Sequence, residues 1–143
     1  MIKNSRGMEQ IYSIEAGNFA LAGEASGHIK KLLKQLGVNS GMVRRVTIAA
    51  YETEMNLVIH SLGGHIKLNV TPETIILTAQ DRGPGIADIE LAMKEGYSTA
   101  PDLARELGFG AGMGLPNIKR CADSFSINSK VGQGSVMKIY FKI

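Results

Sequence analysis

The 143 residues are 44% hydrophobic and 20% charged, with a formal net charge of +3; these proportions suit one domain around one core and exclude a disordered chain. A single cysteine, Cys121, excludes an internal disulfide and any multi-cysteine metal site, and no apolar run reaches the roughly 18 residues of a membrane span. Lys and Arg are scattered, Trp is absent and Tyr and Phe number four each, so the basic and aromatic clustering of a nucleic-acid binder is missing, while an anionic nucleotide or an acidic partner suits the charge.

Met1 to Arg6 lacks the long apolar stretch of a secretion signal, and a cytoplasmic protein is expected. Met8 to Ile14 alternates loosely and reads as a strand. Asn18 can cap a helix to about Leu36, with Leu21, Ala25, Ile29, Leu32, Leu33 and Leu36 as its apolar stripe, and Gly37 ends it. A second helix starts at Asn39 or Ser40 and runs to about Ser61, burying Val43, Val46, Ala50, Leu57 and Val58; Gly63-Gly64 then turns the chain. Strands follow at His65 to Val70 and Thr74 to Gln80. Ile66, Leu68 and Val70 alternate as in a sheet with one buried face, and the run Ile75-Ile76-Leu77 predicts a central strand. Ile86 to Met93 reads as a short helix and Tyr97 to Leu107, interrupted by Pro101, as a loop or lid. A helix from Leu115 to Ala122 and strands at Phe125 to Ser129 and Ser135 to Phe141 complete one α+β layer of sheet covered by helices, with no repeat or linker.

Four features of this chain bear on chemistry. Glu52 and Asn56 stand one helical turn apart and share a face. An Asn amide oxygen suits Mg²⁺, which takes few protein ligands and leaves the rest to substrate phosphates; a carboxylate one turn away can take a proton from an attacking hydroxyl. An exposed polar helix face accounts for the pair equally simply. Asp81 follows an apolar strand and opens the tight turn Asp81-Arg82-Gly83-Pro84-Gly85, where it can accept from an exocyclic adenine amine or merely close the turn. Gly108, Gly110, Gly112 and Gly114 alternate with Phe109, Ala111 and Met113, then Leu115-Pro116-Asn117 opens a helix. Glycine-rich backbone feeding a helix N-terminus presents N–H groups to phosphate. It is neither a P-loop, lacking Gly-Lys-Ser/Thr, nor a dinucleotide fingerprint, lacking a preceding strand. Gly132-Gln133-Gly134-Ser135 starts the last strand, and Ser135 can reach a base or belong to a hairpin turn.

In this order, Glu-x-x-x-Asn, Asp-x-Gly-x-Gly, Gly-x-Gly-x-Gly and Gly-x-Gly-Ser resemble the GHKL ATPase superfamily and its Bergerat fold. The length resembles the anti-sigma-factor serine kinases. Gly96-Tyr97-Ser98-Thr99-Ala100-Pro101 and Arg105 to Ile118 are similar to the stressosome switch kinases of RsbT type. The resemblance implies a two-layer sandwich, a mixed and mostly antiparallel sheet with helices on one face, across residues 1–143. It implies ATP and Mg²⁺ as cofactors, Asn56 as the Mg²⁺ ligand and Glu52 as general base. Asp81 would hold the adenine amine with help from Ser135, and Gly83 and Gly85 would shape the base pocket. Gly108, Gly110, Gly112, Met113, Gly114 and Leu115 would wrap the phosphates. His60, one turn past Asn56, would approach phosphate or serve as a helix-terminal residue, and Arg105 would neutralise the γ-phosphate or remain solvated. Implied partners are a STAS-domain antagonist protein as phosphoacceptor and a PP2C-type phosphatase, with a sigma factor as the alternative; nucleic acid and membrane are not expected. Glu54 and Met55 depart from the small residues common at these positions, and Glu54, facing away from Glu52 and Asn56, is expected to be harmless. With no phosphoacceptor-histidine helix pair read ahead of the core, a complete sensor histidine kinase is not expected, nor, from this length, is a gyrase-like or chaperone-like machine.

Overall fold

Period-two burial builds a sheet with one dry face. The computed structural model describes residues 7–60, 63–81, 114–130 and 134–143. Its strands are β1 (Met8–Ile14), β2 (Gly64–Val70), β3 (Thr74–Asp81), β4 (Ser124–Lys130) and β5 (Gly134–Lys142). They lie in the order β1-β2-β3-β5-β4. The register sets Leu68 opposite Leu77, Leu77 opposite Ile139 and Ile139 opposite Phe125, so one face collects the core. Ile66, Leu68, Val70, Ile75, Leu77, Ile139 and Phe141 are fully buried there, each contributing on the order of 1.5–3 kcal/mol by leaving water.

Two expectations about the sheet change. All four pairings are antiparallel, so among the described residues the sheet is not mixed. The reason lies in the last strand: β4 runs in the direction of β3, and β5 inserts between them, replacing a parallel contact by two antiparallel ones. β3 is central, as its apolar run predicts, but that run is not buried on both faces. Ile75 and Leu77 are in the core, whereas Ile76 is half-buried between Asn69 and Tyr140 on the opposite face.

Among the described residues, three α-helices cover the dry face: α1 (Glu24–Gln35), α2 (Ser40–His60) and α3 (Gly114–Cys121). α2 lies between the other two and touches β1, β2 and β3. The single helix expected from Asn18 to Leu36 is broken. Asn18 Oδ1 accepts from the Leu21 N–H at 3.3 Å and caps only a 3₁₀ turn, Phe19–Leu21. Gly23 then takes φ +97°, a left-handed conformation that no right-handed helix continues through, and α1 begins after it. Leu21 is therefore exposed, while Ile29 and Leu33 carry the buried stripe. α2 starts as expected, with Asn39 Oδ1 accepting from the Met42 N–H at 2.8 Å. β2 begins one residue earlier than expected, at Gly64. A Cβ there would lie 2.0 Å from the Gln80 carbonyl oxygen, so only glycine permits this approach.

No helix among the described residues is long and apolar enough to cross a membrane. The helix expected at Ile86 to Met93 and the lid expected at Tyr97 to Leu107 lie outside the described residues.

Candidate functional site

The site is built from one side of α2, the start of α3 and the ends of β3 and β5. Glu52 is half-buried. Its Oε1 accepts from Asn117 Nδ2 of α3 at 3.3 Å, and Asn117 Oδ1 in turn accepts from Arg120 Nη1 at 3.1 Å. Burial pushes the Glu52 carboxyl above its ordinary 4.5, and the Asn117 donor draws it part of the way back. Asn56 is half-buried one turn further along α2, and His60 is the last residue of that helix.

At the end of the sheet, Asp81 and Ser135 meet. The Ser135 N–H donates to Asp81 Oδ1 at 2.9 Å and the Ser135 hydroxyl to Oδ2 at 2.5 Å. Asp81 is the last residue of β3, paired with Gly64, one residue beyond the end expected for that strand, and the turn expected after it lies outside the described residues. Gly114 opens α3, and Leu115 after it is buried in the core. What Leu115 can offer a ligand is thus its backbone N–H in the first turn, where helical N–H groups have no partner within the helix. Gly83, Gly85, Arg105, Gly108, Gly110, Gly112, Met113 and the side chain of His60 lie outside the described residues.

Two residues gain roles that the motifs did not assign. Asn117 is the donor to Glu52; the sequence signal was a polar residue one turn into the helix that follows the glycine-rich stretch. Glu54 faces away from Glu52 and Asn56, as expected, about 200° around the helix, but it is far from incidental. It is 2% exposed, and its carboxylate accepts from the N–H groups of Gly23 at 3.0 Å, Ala25 at 3.3 Å and Ser26 at 3.0 Å. A carboxylate on α2 thereby satisfies the N-terminus of α1 and meets the positive end of its dipole. The helical period held this signal, because Ala50, Glu54, Leu57 and Val58 share one stripe. At the other end of α2, Arg45 Nε donates to the Cys121 carbonyl at 2.7 Å and Arg45 Nη2 lies 3.4 Å from Asp123. The same helix thus closes the C-terminus of α3, again with the charge that the dipole favours.

The residues present fit a magnesium nucleotide. A neutral oxygen ligand and a carboxylate share one side of α2, and a second carboxylate with a hydroxyl stands at the end of the sheet.

A family model described as histidine kinase-, DNA gyrase B- and HSP90-like ATPase matches residues 43–143. Serine/threonine-protein kinase RsbT of Bacillus subtilis is 33% identical over 110 residues, covering 74% of this chain and 77% of that relative. An anti-sigma F factor of Clostridium kluyveri is 27% identical over 148 residues, covering 99% of this chain and 97% of its own length. Among solved structures, the SiaB–SiaC complex of Pseudomonas aeruginosa contains a chain that superposes with a TM-score of 0.57 over 94% of this chain and 89% of that one. At 12% identity that likeness is one of fold.

Proposed function

The chain belongs to the histidine kinase-, DNA gyrase B- and HSP90-like ATPases, and we propose that within them it is a protein serine/threonine kinase that uses ATP and Mg²⁺ to phosphorylate a STAS-domain antagonist protein. The observation that carries this reading is Glu52 and Asn56 on one side of α2, with the half-buried Glu52 carboxylate held toward α3 by Asn117. A pure nucleotide binder needs the amide oxygen but has no use for a carboxylate whose basicity is raised by burial.

In this reading bound ATP–Mg²⁺ supplies a transferable phosphoryl group with its charge neutralised. Glu52 accepts the proton of the acceptor hydroxyl, a task that the burial raising its basicity favours. Asn56 provides the oxygen for the metal. Asp81, steadied by Ser135, receives the adenine amine, with Gly83 and Gly85 around the base. Gly108, Gly110, Gly112, Met113, Gly114 and Leu115 offer backbone N–H groups to the phosphates, Arg105 adds charge at the γ-phosphate and His60 stands near it. A cytoplasmic setting, partner switching and binding of a PP2C-type phosphatase after antagonist phosphorylation complete the proposal. The resemblance to RsbT supports it.

A second reading is favoured by the name that another relative carries, anti-sigma F factor: the chain would then act mainly by sequestering a sigma subunit. Labelled ATP with a STAS-domain protein decides between them. Label on the STAS protein from the parent chain, and none from Glu52→Gln, is the expected result. An unlabelled STAS protein at saturating Mg²⁺, together with capture of a sigma subunit, would overturn the kinase reading.

A further inference from the structure

A half-buried carboxylate needs a donor to remain ionised in one rotamer. Two side chains of α3 supply one in series. Arg120 gives an N–H to Asn117 Oδ1 at 3.1 Å, and Asn117 gives an N–H to Glu52 Oε1 at 3.3 Å. An amide whose oxygen is taken by a guanidinium has its NH₂ left to present, so Arg120 fixes which way round Asn117 faces. The two lie three residues apart on one helix, a spacing that makes them neighbours. Helix packing, rather than a loop, sets the reach from Asn117 to Glu52. Leu115 and Ile118 flank Asn117 in the core, and Arg45 ties the far end of α3 to the helix that carries Glu52.

We propose that Asn117, oriented by Arg120, is a positioning residue for Glu52, holding Oε1 so that Oε2 takes the proton of the acceptor hydroxyl. This rests on Glu52 being the base. Burial drives the Glu52 carboxyl toward its neutral form, and the Asn117 donor opposes it. Among the described residues, the other titratable or charged groups nearby are Tyr51 on α2 and Cys121 on α3, both sensing Glu52. Arg44, Arg45 and Arg120 act on Cys121 as well.

The test uses Asn117→Ala and Arg120→Ala, the second at an exposed position that leaves the core intact. Three quantities are read: transfer rate at saturating ATP–Mg²⁺, nucleotide affinity, and the pH titration of the Glu52 carboxyl carbon by NMR, assigned by its disappearance in Glu52→Gln. For Asn117→Ala the expected result is a transfer rate lower by about tenfold, the scale of one hydrogen bond to a charged group. Nucleotide affinity should be unchanged and the Glu52 midpoint should move up. Arg120→Ala should shift both in the same direction by less, and the double variant should match Asn117→Ala alone, since the two act through one contact. An unmoved Glu52 midpoint in both variants would overturn the proposal. Absence of transfer by the parent chain would instead count against Glu52 as base and leave the titration to judge Asn117 by itself.

Discussion

On its α1 side, α2 carries Glu54, 2% exposed, with three backbone N–H groups on its carboxylate. On its α3 side it carries Glu52, half-buried, with a side-chain amide on one oxygen at 3.3 Å. Both are glutamates in the same helix, two residues apart. Glu54 is embedded among donors that the fold itself must satisfy, so its charge stabilises a helix end. Glu52 has lost much of its water and, among the described residues, takes one side-chain amide donor, so burial pushes its carboxyl toward higher basicity. How completely a buried carboxylate is satisfied, rather than how deeply it is buried, separates the structural acid from the candidate base.

The difference can be broken by exchanging the two roles. Glu52→Gln should lower phosphoryl transfer by on the order of 10²–10⁴-fold, the range of general-base catalysis, while ATP affinity persists; labelled-phosphate transfer and calorimetric titration read both. An equal loss from Glu54→Gln at a temperature where that variant is folded would erase the distinction. Glu54→Ala strips three N–H groups of their acceptor and should cost about 3 kcal/mol, or roughly 10 °C in melting temperature, measured by scanning calorimetry. A melting point matching the parent's would remove Glu54 from the frame of the fold.

The sheet end sharpens the same comparison, because Asp81 is a carboxylate with donors from Ser135 and a proposed ligand. Asp81→Ala should weaken ATP binding about tenfold or more, and Ser135→Ala only a few-fold, in keeping with charged and neutral hydrogen bonds. Equal losses would mean that Ser135 touches the base directly.

The smallest effect is a pH dependence of stability. The folded Glu52 carboxyl titrates above its ordinary 4.5, so the folded state holds that proton more tightly than the unfolded chain. Its contribution is fully present below about 4.5 and is lost as pH rises through the folded value. The parent should therefore match Glu52→Gln in melting temperature at the acidic end and fall behind it as pH rises through that window. A gap that opens in the opposite direction would contradict the burial of Glu52.

Local periodicity made much of this legible. The alternation of Ile66, Leu68 and Val70 and the spacing of Val43, Val46, Ala50, Leu57 and Val58 state which faces are dry, and all eight are buried. The one-turn interval from Glu52 to Asn56 gives their shared side. What escaped depends on partners remote in sequence. Gly23 falls inside the helix expected from Asn18 to Leu36, and only its left-handed φ reveals the break. The helical period gives Glu54 a direction but no neighbour, because its partners Gly23, Ala25 and Ser26 lie about thirty residues upstream. Asn117 is 65 residues from Glu52. The insertion of β5 between β3 and β4 follows from pairing choices that alternation alone does not distinguish.

That insertion orders events during synthesis. β1, β2 and β3 can pair as soon as they emerge, but the sheet joins β4 only through β5, the strand made after it. A nascent chain halted before residue 134 would leave the β3 edge bare, a template for pairing with another chain, and would hold Asp81 without the two donors of Ser135. The end of the sheet that carries Asp81 and Ser135 is thus assembled last, after every strand and helix that precedes it in the chain.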